Sequence, residues 1–191
     1  MSHKIFLTGP PGVGKSSVLL RLVEALENRG FQVGGMVTRE ARDGGARIGF
    51  NVTDVLTRRE GWLATAREPI GPRVGKYSVD LEGLESIGVQ AITSALQDPK
   101  TEVVVIDEVG PMELLSAAFK RAVRQGMAST KILIGTIHYR ATDPLIWEIK
   151  STREVKIITV TKDNRLALHM RLMKEITSQE DLAEGVPTGR T

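Results

Sequence analysis

The chain has 191 residues, of which 41 % are apolar and 26 % charged, the make-up of one ordinary globular domain. It carries no cysteine, which excludes disulfides and thiolate metal sites, and no apolar run near the roughly 20 residues of a membrane span, so a cytoplasmic protein without membrane contact is expected. The formal net charge of +3 leaves nucleic acid open as a partner without indicating it, because no basic stripe is dense enough.

Met1-Ser2-His3-Lys4 leads without a signal-like segment into an apolar run, Ile5-Phe6-Leu7, that reads as a first strand. Directly after it stands Gly9-Pro10-Pro11-Gly12-Val13-Gly14-Lys15-Ser16, which fits the phosphate-loop spacing G-x-x-x-x-G-K-[ST] in full. Glycines at these places let backbone N–H groups turn toward phosphate oxygens with no Cβ in the way. In such a loop Lys15 reaches the β- and γ-phosphates and the Ser16 hydroxyl takes Mg²⁺, with Ser17 next in line on the nucleotide. The following helix carries Val18, Leu19, Leu22, Val23 and Leu26 at helical spacing and ends at Gly30. Its positive N-terminal end adds to the same anion site. A chain that binds nucleoside triphosphates is therefore expected.

Residues 34–40, 47–56 and 61–67 read as short strands with turns at Asp43-Gly44-Gly45 and Arg58-Arg59-Glu60, an antiparallel meander over 34–67 beside or extending the main sheet. Residues 69–77 are rich in glycine and proline and read as a loop. Asp80 is placed to cap a helix that runs to about Gln97. Three strand–helix pairs follow: 103–106 with a helix from about Met112 to Gln125, 132–134 with a helix opened by Asp143-Pro144, and 155–160 with a last helix capped near Asp163. Continuous apolar strands indicate a parallel sheet covered on both faces. The expectation is a single α/β domain over residues 1–178, a P-loop three-layer sandwich with a mostly parallel central sheet, followed by a frayed tail over 179–191.

Val103-Val104-Val105-Ile106-Asp107-Glu108 is the second strong signal. A buried strand ending in two acids delivers them to the carboxyl edge of a parallel sheet, where α/β ligands bind. Asp107 fits the metal-holding acid that works with Ser16, and Glu108 a general base for the attacking water. The plainer alternative makes one of the pair a helix N-cap. Among cations, Arg73 and Lys76 in the loop and Arg165 after the last strand are candidates to stabilise charge on the γ-phosphate. Asn164 and Arg165 are alternatively placed to flank the base, and Thr136 to sense the γ-phosphate. His138 stands without a neighbouring ligand set and reads as structural.

The phosphate loop, the segment Asp107-Glu108-Val109-Gly110-Pro111-Met112-Glu113-Leu114, Gly75-Lys76-Tyr77 and Thr161-Lys162-Asp163-Asn164-Arg165 together resemble the THEP-type nucleoside triphosphatases, the family that includes the animal cancer-related nucleoside triphosphatase. The resemblance covers about residues 4–176. It implies a Mg²⁺-dependent enzyme that hydrolyses several nucleoside triphosphates to diphosphate and phosphate with broad base tolerance, so ATP, GTP, CTP and UTP are the expected substrates; a monomer is the favoured expectation, apart from the resemblance. Two other readings of the residues stand beside it: a nucleoside or nucleotide kinase, and a nucleotide-dependent switch for a protein or nucleic-acid partner.

Overall fold

Two apolar faces on each parallel strand determine the layering. The computed structural model describes residues 4–183. β1 (Lys4–Thr8), β7 (Val103–Val109) and β8 (Ile132–Ile137) are buried along nearly their whole length. Successive side chains of β7 enter different cores: Val103 and Val105 pack with α1 (Lys15–Glu27) and α6 (Leu168–Ala183), while Val104 and Ile106 pack with α4 (Ala117–Ala128) and α5 (Pro144–Ser151) on the other face. Each such fully buried aliphatic side chain is worth roughly 1.5–3 kcal/mol relative to exposure.

The remaining strands are β2 (Val33–Asp43), β3 (Ala46–Asp54), β4 (Glu60–Thr65), β5 (Arg73–Val74), β6 (Tyr77–Val79) and β9 (Val155–Thr159). All the described strands form one 9-stranded sheet in the order β5-β6-β4-β3-β2-β7-β8-β1-β9. One strand, β8, thus separates the strand before the phosphate loop from the strand that ends in the acids.

The sheet corrects two expectations. It is not mostly parallel: the pairings from β2 through β9 are parallel, and those from β5 through β2 are antiparallel. β2 belongs to both halves, so of the two placements expected for the meander, beside the sheet or extending it, the second is found. Nor does the third layer reach everywhere, because the core under α1 and α6 takes no residue from β3 or β4. Those strands are covered on the other face by a continuous helix made of α2 (Leu81–Gly83), a π-helical stretch (Leu84–Val89) and α3 (Gln90–Gln97). Asp80 caps it as expected, its carboxylate accepting from the Gly83 N–H at 2.8 Å.

The expected loop over 69–77 contains a small edge hairpin, β5–β6, with the turn at Gly75-Lys76. After β7 the chain makes a 3₁₀ turn (Glu113–Leu115), and α4 begins only at Ala117 because the Ser116 hydroxyl accepts from the Phe119 N–H and fixes the N-cap there. Neither Asp107 nor Glu108 acts as that cap. The last helix starts at Leu168 and not near Asp163. Residues 161–164 instead close a turn on themselves, with the Thr161 N–H donating to Asn164 Oδ1 and the Asn164 N–H to Thr161 Oγ1. α6 continues to Ala183, into the segment expected to fray, and residues 184–191 lie outside the described residues. No helix among the described residues is long and apolar enough to cross a membrane.

One buried charge fastens the amino edge of the sheet. Lys4 is 5 % exposed, and its ammonium donates to the carbonyls of Gly126, Ser129 and Lys131 at 3.0, 2.8 and 2.7 Å. These are the last carbonyls of α4 and of the turn into β8, groups that a helix end leaves unpaired. The Ser129 hydroxyl also donates to Gly126, so that carbonyl keeps a partner when the lysine is removed. Lys4→Met is expected to lower the unfolding free energy by about 1–3 kcal/mol through loss of the hydrogen bonds that the ammonium donates, as read by urea unfolding.

Candidate active site

Three neighbouring parallel strands bring the predicted groups to one edge. β1 ends in the phosphate loop, β7 in Asp107 and Glu108, and β8 in Thr136. Two glycines of the loop are required by its path. Gly14 is the N-cap of α1 with φ 108°, a left-handed conformation that side chains resist. Gly9 has φ 147°, and a Cβ there would meet the Val160 carbonyl oxygen at 2.8 Å. Within the loop the Val13 N–H donates to the Pro10 carbonyl at 3.2 Å, and the Lys15 ammonium folds back to the Gly9 carbonyl at 3.3 Å.

Asp107 is fully buried. Its Oδ1 accepts from Ser16 at 3.2 Å and from Thr136 at 2.5 Å, while Oδ2 is buried with no partner. Burial pushes its pKa up to about 6 against the pull of those two hydroxyls, and the neighbouring Glu108 charge adds to the rise. Glu108 is half-buried with Oε1 unpartnered, and burial raises its pKa while Lys15 opposes the rise. In a regular strand two successive side chains point to opposite faces. Here the register steps from Ile106↔Gly135 to Val109↔Ile137, so β7 carries one extra residue across the two acids. That bulge allows Asp107 to sit under the loop and Glu108 to line the open cavity in front of it.

The cavity measures about 700 Å³. One wall is the loop, with Pro11, Gly12, Gly14, Lys15, Ser16 and Ser17, and the floor includes Glu108 and Glu113. Glu113 is 5 % exposed, and burial together with the charges of Glu108 and Asp107 drives its pKa to about 8, although its own N–H and that of Gly110 hydrogen-bond the carboxyl. The opposite wall comes from the antiparallel half and includes Arg47, Phe50 and Tyr77.

The other sequence candidates divide. Lys76 lines the cavity, its ammonium 5.3 Å from the Tyr77 ring centroid, whereas Arg73 is exposed on β5 and is not among the lining residues. The Thr136 hydroxyl is engaged on Asp107. Arg165 lies on the outer flank of the loop, donating to the Val13 carbonyl at 3.4 Å. The Asn164 amide holds its own turn, with Nδ2 donating to the Thr159 carbonyl at 2.9 Å. His138 lines the cavity and accepts at Nδ1 from the Arg140 N–H. The wall of Arg47, Phe50 and Tyr77 was not foreseen as part of a site. The local hints were the alternation of polar and apolar residues around Ile48, Phe50 and Val52 and the segment Gly75-Lys76-Tyr77 among those that carry the family resemblance.

Comparison with known proteins agrees with this arrangement. The family model described as NTPase matches residues 4–175. A protein of Thermofilum pendens named nucleoside-triphosphatase THEP1 is 48 % identical over 93 % of this chain and 98 % of its own length. The mouse cancer-related nucleoside-triphosphatase homolog is 40 % identical over 88 % of this chain and 93 % of its own. The solution structure of a human cancer-related nucleoside triphosphatase superimposes with a TM-score of 0.78 at 38 % identity, covering 93 % of this chain and 98 % of that one. The crystal structure of THEP1 from Aquifex aeolicus gives 0.76 at 29 % identity, covering 88 % and 96 %. With a phosphate loop after β1, two acids at the end of β7 and this likeness along nearly its whole length, the chain belongs to the THEP1 nucleoside-triphosphatase family and is a P-loop enzyme that hydrolyses nucleoside triphosphates.

Proposed function

We propose that this enzyme depends on Mg²⁺ and hydrolyses ATP, GTP, CTP and UTP alike to diphosphate and phosphate. The observation that carries the metal is Asp107 itself: a fully buried carboxylate with one oxygen on Ser16 and the other without any partner. A lone buried carboxylate oxygen is costly unless a cation or donor meets it. The hard oxygen donors Ser16 and Asp107 suit Mg²⁺, which is commonly held by one or two protein oxygens and the substrate phosphates. When bound, the ion would neutralise charge on the phosphates.

The chain's own groups supply the rest. The loop N–H groups and the α1 N-terminus hold the phosphates, Lys15 leaves the Gly9 carbonyl for the β- and γ-oxygens, and Thr136 keeps Asp107 oriented. Glu108 lines the cavity and takes the proton of a water attacking the γ-phosphorus in line. Base tolerance is in keeping with the outer flank of the loop, where the Asn164 amide already gives one acceptor and one donor site to its own turn.

The test is phosphate release from the four triphosphates with and without Mg²⁺. Release from all four within about tenfold of one another, abolished by chelation, is expected. Lys15→Ala should remove at least two orders of magnitude of that rate, about the effect of losing one preorganised transition-state contact. Release from a single triphosphate, or full release without divalent metal, would sink the proposal.

A further inference from the structure

The cavity, about 700 Å³, runs from the phosphate loop to residues of β2, β3 and β6. Its size falls in the range of pockets that take a small-molecule ligand. Its far end lies toward β2–β6, the side away from β9. No residue of the 161–168 turn lines it, although that turn borders the other flank of the phosphate loop through Arg165.

The far wall is organised. The Arg47 guanidinium donates to Tyr77 Oη and to Glu40 Oε1, both at 2.8 Å, and lies 5.1 Å from the centroid of Phe50 and 5.7 Å from that of Tyr77. The two rings meet edge to face at 5.2 Å. Arginine held flat between a hydroxyl, a carboxylate and two rings is a preorganised stacking plane. Beside it Arg39 and Lys76 line the same cavity, both exposed, and neither forms an ion pair among the described residues. A planar surface next to two unpaired cations matches a flat ring that carries an anionic group.

We propose that this wall, built from Arg39, Arg47, Phe50, Lys76 and Tyr77, is a second-ligand site that takes a nucleoside monophosphate beside the bound triphosphate. The ring stacks on the Arg47 guanidinium, which Phe50 and the buried Tyr77 hold in place, and the phosphate sits on Arg39 and Lys76. The site rests on the assignment of the triphosphate to the phosphate loop. The wall and the phosphate loop line one cavity, so its occupancy changes turnover without competing for the loop.

The experiment is equilibrium dialysis of radiolabelled AMP, CMP, GMP and UMP against enzyme saturated with Mg²⁺ and a non-hydrolysable triphosphate analogue, with inorganic phosphate and free nucleosides as separate probes. One equivalent of monophosphate is expected to bind, with phosphate or nucleoside alone weaker by about tenfold or more. Arg47→Met should weaken that binding by about tenfold or more through the lost stacking plane. Tyr77→Phe, which keeps the ring and the packing but frees the guanidinium, should weaken it by a smaller factor. Absence of monophosphate binding to the loaded wild type overturns the proposal. So does a rise in triphosphate KM in the Arg47 variant as large as the loss of monophosphate binding, because the wall would then hold the triphosphate's own base. Failure of the triphosphatase reading shows separately, as wild type that releases no phosphate.

Discussion

Glu108→Gln is expected to cut phosphate release by about 10²–10⁴-fold, the range for loss of a positioned general base. Triphosphate binding should persist, because the loop contacts come from backbone N–H groups, Lys15 and the α1 terminus, none of which the substitution touches. Glutamine keeps the size of the side chain and removes only the capacity to take a proton. The carboxylate has a buried oxygen without a partner and no hydrogen bond to the loop or to Asp107 among the described contacts, so the amide has no such bond to break. Single-turnover phosphate release with binding measured in parallel separates the two effects. If affinity falls as steeply as the rate, Glu108 is holding the triphosphate or its metal and another group receives the proton. If neither changes, water attacks without a protein base and Lys15 with Mg²⁺ carries the acceleration.

How much of this site was legible beforehand follows from how local each part is. The phosphate loop is eight consecutive residues whose backbone path dictates glycine, so Gly9 and Gly14 announce themselves. Asp107 was legible because a run of four apolar residues ending in an acid has one sensible place in a parallel sheet. That Glu108 also faces the cavity depends on the extra residue in β7, a register feature set jointly with β8 and invisible along one strand. The far wall depends still more on pairing: Arg47 and Phe50 on β3 meet Tyr77 on β6 only because β4 lies between those strands. Of the antiparallel half, β2, β3 and β4 were expected as strands while β5 and β6 were hidden in an expected loop, and the sequence left open whether the meander extends the main sheet, as it does through β2. Lys4 shows the same limit, since a lysine at the start of an apolar strand reads as exposed until the end of α4 is brought to it.

Glu113 gives the sharpest consequence for stability. Its pKa rises from an ordinary 4.5 to about 8, first through burial and then through the nearby Glu108 and Asp107 charges. Below about pH 4.5 the carboxyl is protonated in the folded and unfolded chains alike and costs nothing. Between there and about pH 8 the unfolded chain ionises while the folded one keeps its proton. The folded state then binds more protons, so stability falls as pH rises, by at most roughly 1.4 kcal/mol per pH unit, and the penalty is complete above the folded pKa. Glu113→Gln keeps an oxygen for the Gly110 N–H and cannot ionise. Its unfolding free energy minus that of wild type should therefore grow in the variant's favour across this window, reaching several kcal/mol near neutrality and above. Urea unfolding of both proteins at about pH 5, about pH 6.5 and about pH 8, without divalent metal, measures it. A difference that stays flat with pH would mean that Glu113 ionises as an exposed glutamate does. A difference that grows would mean that the floor of the cavity holds a neutral acid at working pH, keeping a third negative charge away from Asp107 and Glu108 when a triphosphate arrives.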